Sequence, residues 1–477
     1  MALAVARDLH PQGFTVEILE GRDAFCALEK EWNQALAKGP RDEPMLRHEW
    51  LRAWIENFAP GQPLRVFVAR SGRELCAAVP LIETKERSAD TCFFPMTTWA
   101  LPCNDHSQRG GVLLGARGLE ALQAIWDKLV DTTGWDRLRL RELPEGCGEW
   151  KFRDIAERAG YPCGLYVSLR SPYLPLPLKA APIAQAKPAA EAKPAGDATP
   201  AGDAMPAADA KPANAKQKQK GGKAAQLPTA NFLYEQVEAA LDSKFRSNLR
   251  RRKRRLAEQG EVKYVLVDGK DAKAFDIAMA DFFEIEGSGW KGKGGTAIAQ
   301  KPELVGFYTQ IARDAAKRGA LALGFLELNG KRIAAHLTLV QAGRSFLLKL
   351  GYDEAFGEFS PGQQLVSEAI RDACQRNLRE FDFLGPWMEW KADWETRFRP
   401  HTWLTIFRPT RKGLLIHEAR FTGWPVARAV IGQAKKVMKD LGARFKPSGA
   451  TKASSAPLGA STSQPPTPTP DSNSKEH

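Results

Sequence analysis

The chain has 477 residues, is 43% hydrophobic and carries a formal charge of +13, so it can build two or three soluble domains and favours an anionic partner, whether nucleotide, nucleic acid or membrane surface. The opening MALAVARDLHPQGF lacks the apolar core of a signal peptide, and no run of about 18 apolar residues occurs elsewhere, so a cytoplasmic protein is expected, with a peripheral place at the inner membrane surface left open. Seven scattered cysteines without a C-x-x-C pair suit a reducing compartment, and neither a disulfide framework nor a metal site is expected.

The first block, residues 13–172, opens with a strand, FTVEILE, followed by helical patterns over Asp23 to Ala37 and Arg47 to Phe58. A strand, glycine turn and strand follow in FVARSGRELCAAVPLI from Phe67, then a helix near Leu119 to Val130 and the strand DRLRLREL. From 173 to 229 the composition collapses to Ala, Pro, Lys, Gly, Asp and Gln with almost no large apolar residue, the signature of a disordered linker. The second block, 230–410, continues with a basic helix from Ser243 to Glu258, strand EVKYVLV, helices Ala272 to Ile285 and Glu303 to Lys317, and the hairpin FLELNGKRIAAHLTLV from Phe325. This hairpin aligns without gaps to the one in the first block, matching Phe67 to Phe325, Gly72 to Gly330, Leu75 to Ile333, Ala77 to Ala335 and Leu81 to Leu339. A duplicated lobe is the simplest account, and the mixed order of helices and hairpins predicts an α/β (α+β) fold of two lobes, each a mostly antiparallel sheet flanked by helices. A basic, partly amphipathic helical segment is expected over 411–446, and a Ser-, Thr- and Pro-rich tail, again read as disordered, over 447–477.

Within the second block, KLGYDEAFGEFSPGQQL, Lys349 to Leu365, reads as a strand running into a helix start. Ser360 and Gln363 have the S-x-x-Q spacing of a capping box, Pro361 suits the first helical position, and Leu365, Val366, Ala369, Ile370 and Ala373 recur at helical spacing. A helix start offers unpaired N–H groups and a positive dipole end, so a pyrophosphate can dock on Ser360, Pro361, Gly362 and Gln363, with Gly362 allowing close approach.

With these elements in order, the second block resembles the GNAT-type acetyltransferase domain of the CelD-like and FemAB-like proteins. The resemblance rests on the basic helix FRSNLRRRKRRL, the GWK of Trp290 and Lys291, the hairpin ending IAAHLTL, the run KLGYDEAFGEFSPGQQL, and FDFLGP followed by WK at Trp390 and Lys391. The first block resembles the degenerate partner lobe of the same double-lobed fold. The resemblance implies an acyltransferase that moves an acyl group, acetyl by expectation, from acyl-CoA as co-substrate to an amine or hydroxyl on a small-molecule or glycan acceptor, with cell-envelope or polysaccharide biosynthesis as a setting. In the Fem branch it implies transfer from aminoacyl-tRNA instead. No tightly bound cofactor is implied. The Q/R-x-x-G-x-G/A pyrophosphate loop of standard GNAT domains is missing and SPGQQL stands in its place; the first block has GGVLLGARGLEALQAI there, so one donor site, on the second block, is expected.

Direct acyl transfer needs a base for the acceptor, support for the oxyanion and a proton for the leaving thiolate. His336, mid-strand where the first block has Ala78, reads either as a general base or as a core histidine with satisfied hydrogen bonds. Tyr352 and Asp353 follow the strand at its mouth, as proton donor and proton acceptor or as a packed aromatic beside a turn-forming aspartate. Lys349 and Lys391 are candidate contacts to phosphate or carboxylate groups, and Trp290 with Lys291, in the glycine-rich GSGWKGKGG, a candidate substrate cover. The basic helix over 243–258 suits phosphate contacts to tRNA or an anionic lipid carrier around a packing stripe of Leu241, Phe245, Leu249 and Leu256. A catalytically silent acyltransferase-like binding module is the remaining alternative.

Overall fold

The computed structural model describes residues 9–10, 13–178, 230–288, 295 and 297–423. In chain order its strands are β1 Leu9–His10, β2 Phe14–Glu20, β3 Leu64–Ser71, β4 Glu74–Glu86, β5 Met96–Ala100, β6 Leu113–Leu114, β7 Arg137–Pro144, β8 Cys163–Pro175, β9 Val262–Val267, β10 Leu321–Leu328, β11 Lys331–Gln341, β12 Arg344–Tyr352, β13 Glu380–Asp382 and β14 Arg397–Phe407. They join in one sheet in the order β1-β2-β3-β4-β5-β7-β14-β8-β13-β12-β11-β10-β9, with β6 on β4. Among the described residues the parallel pairs are β5 with β7 and β12 with β13. The mixed, mostly antiparallel α/β architecture expected from the sequence is therefore present.

The two matched segments are both hairpins. The turn between β10 and β11 uses Asn329 and Gly330 at φ 50° and 79°, the left-handed pair that matches the twist of adjoining strands. Both hairpins carry a bulge near the turn, at Ala69/Arg70 and at Leu326/Glu327. The helical pattern over 23–37 is interrupted, giving helices Gly21–Cys26 and Glu29–Ala37.

The blocks do not keep separate sheets. β14, from the end of the second block, lies between β7 and β8 of the first, Leu404 opposite both Leu140 and Leu165. β8 in turn runs on to Pro175, pairing Leu174 with Phe381 of β13, and Leu176 N–H donates to the Arg379 carbonyl at 2.9 Å. The helices add to this join. Helix His48–Phe58 packs on helix Pro302–Lys317, with Trp50 edge-on to Phe307 at 5.2 Å and Arg52 paired to Asp314 at 2.8 Å. One apolar core consequently runs from Phe25, Trp32 and Trp54 through to Phe282, Phe307 and Phe346. Burying such aromatics, at roughly 150–250 Å² each, dominates core energetics.

The described residues up to Phe421 belong to one compact unit, and of the second, Thr422–His477, only Thr422 and Gly423 are described. Helix Arg411–His417 begins the expected C-terminal helical segment. Residues 179–229 of the expected linker, 424–446 of that helical segment and the expected tail at 447–477 lie outside the described residues. No helix among the described residues is long and apolar enough to cross a membrane.

Candidate functional site

The site starts from an irregularity in β12. Leu337 pairs with Lys349 but Thr338 with Leu347, which leaves Leu348 as an extra residue in the strand. Such a bulge breaks the alternation of side chains. Leu347 and Leu350 pack toward the cluster around Trp394, whereas Leu348 joins the core shared with the first block and Lys349 Nζ sits 5.4 Å over the Tyr308 ring.

β12 and β13 pair in parallel from Arg344/Glu380 to Phe346/Asp382 and no further. Leu384 and Gly385, at φ 52° and 59°, turn the chain away from the sheet. Between the separating strands opens a cavity of about 520 Å³, the size of a small-ligand site. Apolar walls come from Leu347, Leu348, Leu350, Phe383 and Leu384, and Trp390 and Met388 border it.

Six of the residues singled out from the sequence line this cavity: Lys349, Tyr352, Ser360, Gly362, Gln363 and Lys391. Helix Pro361–Gln375 starts at its edge. Pro361 is buried and has no N–H, so Gly362 and Gln363 supply the first donors without a carbonyl four residues earlier in the helix. A Cβ on Gly362 would stand 3.2 Å from Cδ1 of Tyr352, so the tyrosine ring lies directly on the glycine.

The expected capping box is not formed. Ser360 ends the short 3-10 helix Glu354–Phe359 in the left-handed region, φ 50°, and its side chain makes no cap bond. A capping serine needs extended backbone to swing its oxygen over the next turn. Gln363, the other half of the box, instead donates from Nε2 to the Trp390 carbonyl at 3.3 Å and accepts from Trp394 Nε1 at 2.8 Å.

Lys391 is 6% exposed. Its ammonium donates to the carbonyls of Leu384 at 2.6 Å and Pro386 at 3.0 Å, pinning the turn that opens the cavity. Burial pushes its pKa down to about 8, Asp382 opposes that shift and Lys349 adds to it. Two of three N–H donors are used by the turn, which leaves one for an anion.

Two candidate catalytic residues fall elsewhere. His336 is 1% exposed, with Nε2 3.0 Å from Tyr264 Oη and Nδ1 2.9 Å from Thr338 Oγ1. Opposite it stands Gly324, where a Cβ would come within 2.2 Å of the imidazole, so the strand is shaped to receive the ring. Burial, with a smaller contribution from Arg376, pushes its pKa down to about 3. His336 is the satisfied core histidine. Asp353 caps helix Glu354–Phe359 through Ala355 N–H at 3.0 Å and pairs with Lys331 at 3.0 Å. Burial acts against its charge, but Lys331 and the Ala355 N–H prevail and hold the carboxyl below its ordinary value. It lines a neighbouring depression with Asp281 and Glu327, not the cavity. Trp290 and Lys291 lie outside the described residues.

Gln108, from the first block, is a cavity residue with no forewarning in the sequence reading. Its loop also places His106 Nδ1 3.0 Å from Tyr308 Oη, and burial followed by Lys349 pushes that imidazole down to about 4. The density of polar residues and glycines in CNDHSQRGG was the available signal, since loops that carry chemistry look like this.

The basic helix is Ser243–Ala257. Leu241, Leu249 and Leu256 are buried and Phe245 meets Trp394 edge-on at 5.3 Å. Arg250, Lys253 and Arg255 pair with Glu238, Glu368 and Glu358, while Lys244, Arg251, Arg252 and Arg254 have no carboxylate partner among the described residues.

Residues 243–392 match the family model of the acetyltransferase (GNAT) domain. No curated protein matches the chain. Among solved structures, that of FemX aligns over 81% of this chain and 96% of its own at 9% identity and a TM-score of 0.47. A tandem GNAT protein from the clavulanic acid biosynthesis pathway aligns over 83% and 99% at 12% identity and a TM-score of 0.38. L-PGS from Bacillus licheniformis aligns over 80% and 92% at 9% identity and a TM-score of 0.42.

Proposed function

Because this chain carries a GNAT-type acetyltransferase domain at residues 243–392, we propose that it transfers an acyl group from acyl-CoA to an amine or hydroxyl acceptor. The observation that carries this reading is the opening of β12 from β13 directly beside a helix start that presents the Gly362 and Gln363 N–H groups. A pyrophosphate placed there gains the orphan donors and the positive end of the helix dipole. Lys349 and the spare N–H of Lys391 add positive charge along the same cavity. The apolar walls from Leu347 to Leu350 and at Phe383 and Leu384 suit an acyl-bearing arm and exclude water from the thioester.

In this reading the acceptor nitrogen or oxygen attacks the thioester carbon and the carbon–sulfur bond breaks. The Tyr352 hydroxyl gives its proton to the departing thiolate and regains one from the acylated acceptor. Asp353 and His336 are left out of the chemistry, the one spent on Lys331 and a helix cap, the other enclosed.

A second reading, transfer from aminoacyl-tRNA, is favoured by Lys244, Arg251, Arg252 and Arg254, whose charge no carboxylate of the described residues offsets. Phosphate contacts from such a face bind nucleic acid with strong salt dependence. Thermal-shift titration separates the two. Acetyl-CoA that raises the melting temperature while tRNA does not supports the first reading, tRNA alone the second, and silence to both a binding module without transfer.

A further inference from the structure

Between β4 and β5 the chain makes a hydrogen-bonded loop that carries two phenylalanines on its outside. Ser88 N–H donates to Thr91 Oγ1 at 3.0 Å, Phe93 N–H to the Ser88 carbonyl at 2.9 Å, and Arg87 Nε to the Phe93 carbonyl at 2.9 Å. Cys92 and Phe93 follow one another at φ 48° and 62°, left-handed conformations that are uncommon for bulky residues. Held in this way, the loop presents Phe93, 67% exposed, and Phe94 to solvent, although Met96 two residues on is buried.

Helix Arg411–His417 lies against this loop. Lys412 Nζ donates to the Pro95 carbonyl at 3.1 Å, Arg420 pairs with Asp90, and Ile416 packs on Met96 and Phe407. With Ile416 turned inward, Leu414 and Leu415 of the same helix are left exposed, the latter by 56%. Phe421 reaches on to β8, where a Cβ on Gly164 would meet its ring at 2.2 Å, and the exposed Tyr166 shares that face of the strand because side chains alternate. Five large apolar side chains, Phe93, Phe94, Tyr166, Leu414 and Leu415, therefore stand in water on adjoining elements, and none of them lines the cavity. Single exposed apolar residues need no explanation, but a group of them marks a surface that something covers.

Charge narrows what that something is. Lys85, Arg87 and Arg411 are exposed and have no carboxylate partner among the described residues, whereas Asp90 and Asp136 are engaged by Arg420 and Lys412, leaving Glu418 as the exposed carboxylate of these elements. From 424 to 446 the sequence adds six lysines and arginines against one acidic residue, Asp440. A second copy of the chain, or its own residues 424–446, would set like charges against one another across this face. Nucleic acid would answer the cations but leave the leucines in water. An anionic bilayer surface answers both, because rings and leucines enter the boundary between head groups and acyl chains while the cations stay among the phosphates.

We propose that the loop from Arg87 to Pro95 and helix Arg411–His417 together form a docking surface for an anionic lipid bilayer, with Phe93, Phe94, Leu414 and Leu415 as its inserted side chains. The surface lies outside the cavity, and the proposal goes beyond the acyl-transfer reading without depending on it.

The test is flotation of the full chain with vesicles of phosphatidylcholine alone and of phosphatidylcholine mixed with phosphatidylglycerol. Binding is expected to the mixed vesicles and to weaken as salt is added. A fourfold variant, Phe93→Asn, Phe94→Ser, Leu414→Gln and Leu415→Gln, changes exposed residues alone, with asparagine suited to the left-handed backbone, and should bind about tenfold more weakly or worse. Ile277→Gln, an exposed apolar residue on helix Ala272–Gly287, should bind within about twofold of the unmodified chain. No flotation of the unmodified chain overturns the proposal, and so does equal flotation of the fourfold variant, which would place the lipid on another basic segment. Without vesicles, the fourfold variant should melt within about 2 °C of the unmodified chain. A larger fall shows that residues 424–446 cover the patch, and a dimer in sedimentation that the four substitutions dissociate shows that a second copy does; either result overturns the bilayer assignment.

Discussion

Arg109, on the loop that follows Gln108, is fully buried in an ion pair with Asp382, the last residue of β13. Asp382 sits where β12 and β13 part, so the pair ties the first block to the hinge of the cavity. Around it Glu43 accepts from Arg109 at 3.2 Å, Arg41 at 3.0 Å and Arg344 at 2.9 Å, and Arg399 reaches Asp382 at 3.0 Å. Burial works against the charge of Glu43, and the three guanidiniums overcome it, holding the carboxyl well below its ordinary range.

Breaking this pair uncovers a buried charge. Arg109→Met is expected to lower stability by about 3 kcal/mol or more, with both blocks still unfolding together. Denaturant unfolding followed by tryptophan fluorescence and by far-UV circular dichroism checks this. A loss under about 1 kcal/mol shows that the network does not join the blocks, whereas two separate transitions show that it is what couples their unfolding.

His336 makes stability depend on pH. Its folded pKa, about 3, is below the ordinary 6.5, so the unfolded chain binds the extra proton between those values. The contribution is complete above pH 6.5 and is lost as pH falls toward about 3, at up to about 1.4 kcal/mol per pH unit. The groups facing it are Tyr264, Thr338 and Arg376, and none supplies a counter-charge. His336→Ala should remove this slope and cost about 2–4 kcal/mol at neutral pH through the lost volume and the two stranded hydroxyls. Acetyl-CoA binding by the folded variant should be unaffected; a tenfold loss (about 1.4 kcal/mol) would restore His336 to the site.

Gly362→Asp places a carboxylate where the pyrophosphate is proposed to lie and should weaken acetyl-CoA about tenfold or more. Gly362→Ala is the control, because the ring 3.2 Å from its Cβ belongs to Tyr352, 42% exposed and free to give way. If the aspartate variant binds as the alanine variant does, the anion is held elsewhere.

Lys391 titrates within reach of ordinary buffers. With its pKa at about 8, the ammonium is present below that pH and fades above it, so acetyl-CoA affinity should decline as pH rises through about 8. Lys391→Met should bind weakly at every pH. Affinity in the unmodified chain that holds steady through that pH shows that its charge does not contact the donor.

Much of the second block was legible in its residues because local patterns decide it. The helices at 243–257, 272–287 and 302–317 lie within two residues of the ranges read from the sequence, the helix at 361–375 starts at the Pro361 marked there, and the two hairpins follow from glycine turns between β-branched and aromatic runs. Helices Lys151–Arg158 and Ala230–Ala240 escaped, and so did β8 and β14. CGLYVSLRSPYLP and RFRPHTWLTIF mix arginine and proline into both faces, since each strand is flanked by strands of the other block and answers to a surface that local alternation does not reveal.

The candidate site divides the same way. Sequence by itself determined that a strand runs into a Pro-Gly helix start near Tyr352 and Lys349, because turn chemistry and helical spacing act between near neighbours. Only the tertiary structure decided that Gln363 turns to Trp394 and leaves Ser360 uncapped, that His336 closes over Gly324, and that Gln108 arrives 240 positions away along the chain from Leu348. Those outcomes depend on which side chains share a buried volume, and that is settled by the packing of one block against the other.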